Sequence, residues 1–154
     1  MKHSRQIIKE TIENVVTKKT PLFCYGSLNP KELSEWLEPD SGFFDGTISA
    51  TLPGHKREFK GYSPRWKGGT VTACPCPNST IEGFIVFLTP QQLEIIDERE
   101  LCPWKHTRKS AQLETRKGPM EAQLYVSTSA YHNPPSDQYL RELEDTIRFS
   151  NQIY

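Results

Sequence analysis

Leu22-Phe23-Cys24-Tyr25-Gly26-Ser27-Leu28 runs a short apolar and aromatic stretch directly into a glycine-serine turn. Large side chains in succession, closed by Gly26, read as a buried strand entering a tight turn. A loop at the carboxyl end of a strand is a common position for a ligand. Gly26 permits a backbone conformation that aims successive N–H groups into one concavity, a nest for a carboxylate or a developing oxyanion, and Ser27 adds a hydroxyl donor. Such a loop suits a substrate with an α-carboxylate. In isolation a Gly-Ser turn after a strand is usually only a turn, so its meaning depends on the rest of the chain.

Upstream, residues 4–16 set Ile7, Ile8, Ile12, Val15 and Val16 at helical spacing behind Ser4 as N-cap. Lys18-Lys19-Thr20-Pro21 ends that helix, dividing the chain into a helical extension, 1–19, and a domain, 20–154. Downstream, Pro30 to Leu37 predicts a helix with Leu33, Trp36 and Leu37 as its apolar side and Pro39 as its stop. Gly42 to Phe59 and Gly69 to Leu88 hold short β-type runs separated by Gly and Pro, and Phe84, Val86 and Leu88 alternate as on a buried face. Thr89-Pro90 opens another helix, with Leu93, Ile95 and Ile96 apolar and Glu98 and Glu100 at its exposed or site-facing end. Residues 104–114 and 121–128 read as strands joined by Lys117-Gly118-Pro119. Ser136 to Phe149 reads as a closing helix with Tyr139, Leu140, Leu143 and Ile147 inward. The fold class is α+β: a small mixed β-barrel or sheet flanked by short helices.

The 154 residues suit one domain and hence one site. Nineteen basic residues balance 19 acidic ones, so no net field draws the chain to nucleic acid or an anionic membrane, and a small neutral or zwitterionic ligand is expected. No stretch offers the ~18 unbroken apolar residues of a membrane span, and no secretion signal is visible. Four irregularly spaced cysteines argue against a disulfide-stapled secreted domain and for a reducing cytoplasm. Cys74-Pro75-Cys76 with Cys102 and His106 is the one metal reading, but Cys-x-Cys is tighter than zinc-ribbon spacing, and the expectation is no metal.

Ile95-Ile96-Asp97-Glu98-Arg99-Glu100 places three carboxylates within four residues, by default the solvated end of a helix. Ser63, Arg65 and Lys67 lie in a glycine-flanked polar stretch able to close over a ligand, or to remain an exposed loop. Tyr125 and Tyr139 are either pocket or core tyrosines. A triad of Ser27, His106 and Asp97 lacks the Gly-x-Ser-x-Gly elbow around its serine.

Read together, Tyr25-Gly26-Ser27-Leu28 and Ile96-Asp97-Glu98-Arg99-Glu100 resemble the gamma-glutamylcyclotransferase-like superfamily, which pairs a YGSL or YGSN loop with a later Leu-Asp-x-x-Glu motif. Phe59 to Gly69, Ile81 to Leu88 and Pro135 to Tyr139 are similar to family segments in the same order, so the likeness spans residues 21–150. Ile96 stands for the usual Leu, Leu101 where Gly is common, and Trp104 with His106 where a Tyr-x-Arg pattern is common, departures that bear on substrate shape. The resemblance implies Glu100 as acid/base, with Tyr25, Gly26, Ser27, Leu28, Ser63, Arg65 and Tyr125 binding substrate. It implies release of 5-oxoproline and a free amine from a γ-glutamyl compound, with no cofactor. Glutathione, γ-glutamyl amino acids, γ-glutamyl-lysine and γ-glutamylated biosynthetic intermediates share the half that the loop would hold. Two other readings stand beside it: a small-metabolite binding protein on the same fold, and an interaction protein using Trp36, Trp66 and Trp104. The N-terminal helix lies outside the resemblance and is open to two roles, a packing cap or an oligomer contact such as a homodimer's.

Overall fold

The computed structural model describes residues 18–37 and 46–153; the helix expected over residues 4–16 and the Phe43-Phe44 run lie outside the described residues. Strand β1 (Thr20–Cys24) is followed by helix α1 (Pro30–Trp36), the long strands β2 (Ile48–Ser63) and β3 (Gly68–Leu88), and helix α2 (Pro90–Arg99). Strands β4 (His106–Thr115) and β5 (Gly118–Ser127) and helix α3 (Asp137–Gln152) complete it. The five strands form a closed barrel in the order β1-β3-β2-β4-β5. Neighbours are antiparallel except β1 and β5, which close the barrel in parallel through Leu22 and Gln123.

Side chains alternate across a strand, and here both faces are buried where β1 meets the second half of β3. Phe23 and Ile85 point into the barrel with Leu52, Leu113 and Leu124. Leu22, Cys24, Phe84, Val86 and Leu88 face outward beneath Leu33 of α1 and Leu93 and Ile96 of α2. This is why β1 reads as a continuous apolar run. Each such side chain contributes roughly 1.5–3 kcal/mol on burial, so the start of the site loop stands on the most buried part of the fold. At Gly83 a Cβ would lie 2.4 Å from the Cys24 carbonyl, so β1 passes too close for any side chain there.

Helix α3 presents Tyr139, Leu143, Thr146 and Ser150 inward at helical spacing behind the Ser136 N-cap. Leu140, expected inward, is 36 % exposed: it sits one residue past Tyr139, about 100° round the helix. Gly69 brings the approach to this helix onto the barrel, because a Cβ there would stand 2.0 Å from the Asn133 carbonyl. Its N–H donates to the Pro134 carbonyl at 3.0 Å.

Helix α2 begins with a reciprocal capping box between Thr89 and Gln92 and with Pro90 in its first turn. It ends in a Schellman turn: the Cys102 N–H donates to the Asp97 carbonyl at 2.9 Å and the Leu101 N–H to the Glu98 carbonyl at 3.2 Å. Glu100 is the C-cap, and Leu101 holds the left-handed position, φ 52°, usually given to glycine. Leu101→Gly should therefore stabilise the protein by roughly 0.5–1 kcal/mol, the relief of left-handed strain less the added freedom of the unfolded chain. Urea denaturation checks it, and a lower midpoint for the variant would count against strain at this turn.

Candidate functional site

A cavity of about 710 Å³ opens at the carboxyl end of β1, walled by the loop after β1, the β2–β3 turn, the turn after α2, and β5. The sequence-selected residues Tyr25 to Leu28, Ser63, Arg65, Glu100 and Tyr125 all line it, and Tyr139 and His106 line it too. Glu98 is exposed at the helix end, and neither it nor Lys67 reaches the cavity.

The loop is held by its carbonyls. Arg57 Nε donates to the Tyr25 carbonyl at 3.0 Å, Thr146 Oγ1 of α3 to the Gly26 carbonyl at 2.5 Å, and the Asn29 N–H to the Ser27 carbonyl at 2.9 Å. In a planar trans peptide the N–H points opposite its carbonyl. The N–H groups of Gly26, Ser27 and Leu28 are thus turned away from the groups that anchor the loop. Gly26 itself is not in the left-handed region, unlike Gly46, Gly54, Gly61 and Gly118. What it supplies is room, since a Cβ would lie 2.4 Å from Val71 Cγ1. Asn29 caps α1 by accepting from the Glu32 N–H at 3.0 Å, and its Nδ2 donates to Glu142 of α3 at 2.6 Å.

The Tyr25 ring turns inward, into the barrel core beside Phe23. Its hydroxyl donates to the Tyr125 carbonyl and accepts from the Ala73 N–H at 3.1 Å, and burial pushes its pKa up. Tyr139 is used in the same way, its hydroxyl accepting from the Val71 N–H at 2.8 Å. Ser63 Oγ accepts from the Trp66 N–H at 3.3 Å and so shapes the β2–β3 turn.

Asp97 and Glu100 are three residues apart yet differently placed. The Asp97 carboxylate accepts from Arg108 Nε at 2.7 Å and Nη2 at 3.0 Å, and from the Tyr125 hydroxyl at 2.6 Å. These bonds fasten the end of α2 to β4 and β5. The Glu100 side chain, 15 % exposed, faces the cavity. His106 Nδ1 lies 2.9 Å from the Glu100 carbonyl and 3.5 Å from Oε2. Burial pushes the Glu100 pKa above the usual carboxylate range; His106 and Arg65 oppose the shift and Glu32 reinforces it. The triad reading is not assembled, because Asp97 is held by Arg108 and Tyr125 while His106 meets Glu100.

Sequence reasoning missed Glu32. Its side chain is buried, and Arg65 Nη2 donates to both its carboxylate oxygens at 2.8 Å. The Arg65 guanidinium lies over Trp66 at 4.6 Å and Trp36 at 5.3 Å. A glutamate in a short helix reads as surface; only the arginine brought across from the β2–β3 turn makes its burial tolerable. Trp66 is likewise core, packed edge-on against Tyr139, and Trp36 is half-buried, so of the three tryptophans read as an interaction surface only Trp104 is exposed. Among the described residues no three His, Cys, Asp or Glu side chains are placed to hold a metal ion, and no helix is long and apolar enough to cross a membrane.

Residues 22–145 match the family described as gamma-glutamyl cyclotransferase, AIG2-like. No curated protein matches the chain in sequence. Among solved structures the fold is similar to a gamma-glutamyl cyclotransferase, with TM-score 0.72 and 21% identity over 87% of this chain and 85% of that one. It is also similar to the human protein loc79017, with TM-score 0.74 and 21% identity over 88% and 86% of the two chains. A yeast gamma-glutamyl cyclotransferase specific to glutathione superposes with TM-score 0.60 at 13% identity, over 86% and 88%. The matched segment covers the barrel, the loop after β1 and the end of α2, and the chain belongs to the gamma-glutamyl cyclotransferase, AIG2-like family.

Proposed function

We propose that the protein cleaves a γ-glutamyl amide by cyclisation, releasing 5-oxoproline and a free amine in a reducing cytoplasm, where its four free cysteines would persist. The observation that carries this reading is a nearly buried carboxylate, Glu100, on the same cavity as a loop whose N–H groups are turned from their anchors. A γ-glutamyl compound contains its own nucleophile. The α-amine attacks the γ-carbonyl carbon, the ring closes, and the bond to the leaving nitrogen breaks. Held in a near-attack pose, such an intramolecular step gains roughly 7–11 kcal/mol from effective molarity.

The protein then has two tasks, to move one proton and to steady charge. With the α-amine in its free form, Glu100 takes one proton from the attacking nitrogen and returns it to the leaving nitrogen, a double role suited to a carboxylate whose pKa is raised by burial. The N–H groups of Gly26, Ser27 and Leu28, with the Ser27 hydroxyl, bind the glutamyl carboxylate or polarise the carbonyl oxygen. Arg65 contributes positive charge from the far wall, while Tyr25, Ser63 and Tyr125 shape the pocket, their polar groups already occupied.

Glu100→Gln keeps the shape and removes the proton transfer. It should lower kcat by about 10²–10⁴-fold with substrate affinity retained, read by mass-spectrometric detection of 5-oxoproline together with calorimetry. A variant at full rate would remove Glu100 from the chemistry.

The same substitution tests the buried charge. A carboxyl whose pKa is raised on folding favours the folded state below its unfolded pKa, about 4.3, and loses that contribution as pH rises through the folded value. Glu100→Gln should therefore melt above the parent at pH 7–8, with the gap closing toward pH 4. A gap of opposite sign, or one independent of pH, would contradict burial as the dominant influence on Glu100.

A further inference from the structure

Resting on the cyclotransferase reading, we propose that the leaving amine belongs to an aromatic amino acid, received with its carboxylate by an apolar, cationic mouth around Trp104. The cavity first shows that a second half must be accommodated. At about 710 Å³ it falls in the range of pockets for drug-sized ligands, ~300–1,000 Å³, and a glutamyl group, little larger than a free amino acid, leaves most of it open.

The mouth has a chemistry of its own. Six large apolar side chains are exposed among the described residues: Tyr62, Ile95, Leu101, Trp104, Tyr131 and Leu140. Four of them, Tyr62, Leu101, Trp104 and Tyr131, line this cavity. Singly exposed apolar residues are ordinary, but their concentration on one opening marks a contact surface. Leu101 adds an independent sign. It keeps a half-exposed side chain in a left-handed conformation where glycine would be unstrained, and strain retained at a pocket wall points to use.

The exposed rings stand on a fixed backbone. Three segments meet there and are clipped together: Lys105 Nζ donates to the Tyr62 carbonyl at 3.0 Å, Thr128 Oγ1 to the Trp104 carbonyl at 2.6 Å, and the Gly61 N–H to the Tyr131 carbonyl at 3.0 Å. A mouth built in advance loses little freedom when it closes on a ring. It also lies on the leaving side, because Leu101 directly follows Glu100, which must reach the departing nitrogen.

Charge selects an acid over a bare amine. The lining carries Lys60, Arg65, Arg99 and Lys105 but a single carboxylate, Glu100. Lys60 has Glu58 within 3.7 Å and Arg65 has Glu32, whereas Arg99 lies over Trp36 and Lys105 meets a carbonyl. Among the described residues neither Arg99 nor Lys105 has a carboxylate partner.

The test compares γ-glutamyl-phenylalanine, γ-glutamyl-alanine and γ-glutamyl-phenethylamine on the full chain by 5-oxoproline release. The expected kcat/KM for the phenylalanine compound exceeds that for the alanine compound by about ten- to a hundredfold, from burial of the ring, and exceeds that for the phenethylamine compound severalfold, from the carboxylate. Trp104→Ala should draw the first ratio toward one, and Lys105→Gln the second. Equal rates for phenylalanine and alanine compounds, or a preference for a γ-glutamyl-lysine isopeptide over both, would overturn the inference while leaving the cyclotransferase reading intact. Should none of the compounds release 5-oxoproline, that reading fails instead. Calorimetry of the three compounds with the Glu100→Gln protein then reads the mouth alone: tighter binding of the phenylalanine compound supports it, and equal or absent binding overturns it.

Discussion

The two-pronged bond from Arg108 to Asp97, closed by the Tyr125 hydroxyl, fixes the last turn of α2 on the barrel wall. Everything at the acidic end of the cavity follows from that attachment. With Asp97 held, its carbonyl receives the Cys102 N–H, the helix stops in a left-handed turn, and Glu100 becomes the cap with its side chain directed to the cavity. Charge-assisted bonds to a carboxylate are about twice as strong as neutral ones, and the bidentate form also sets direction. The three-residue interval between Asp97 and Glu100 is therefore a mechanical relation: one carboxylate anchors the helix and the other is presented by it.

The opposite wall is organised by a different device. Its loop contains no ion pair; its carbonyls are taken by Arg57, Thr146 and Asn29, which come from a strand, the closing helix and the loop itself. Close approaches at Gly26, Gly69 and Gly83 bring these elements near enough to act. Because the strand below is buried on both faces, the loop starts from a stem fixed by packing.

How much of this was legible in the sequence depends on whether the cause was local. The turn chemistry of Thr89-Pro90, the helical apolar spacing after Ser136 and the apolar run at Leu22 act within a few residues, and the elements they predict are present. Asp97 and Glu100 were singled out only by their resemblance to the family's motif, and the different settings of the two carboxylates required Arg108, eleven residues on from Asp97. The great length of β2 and β3, with register shifts near Pro53 and Lys60, was hidden by glycines and prolines that read as breaks. Glu32 carries no local mark of burial, since its partner Arg65 arrives from another element. Gly26 was assigned conformational freedom, when its requirement is set by Val71, a residue 45 positions away. Leu140 was misplaced because adjacent apolar residues on a helix leave the inward one undetermined until the helix is docked.

The electrostatics of the cavity join these parts. A carboxylate withdrawn from water would lose its charge unless neighbours favoured it, and Glu100 has both influences around it: burial and Glu32 disfavour ionisation, His106 and Arg65 favour it. Glu32 is itself held by Arg65, so the same arginine pairs with one carboxylate and acts through its charge on a second. These influences are opposed, and burial is the largest of them, so the Glu100 carboxyl holds its proton more readily than a free one. Removing any one member would alter the shift, so Trp36 and Trp66, over whose rings the Arg65 guanidinium lies, act on the Glu100 carboxyl at a distance by keeping a positive charge in place.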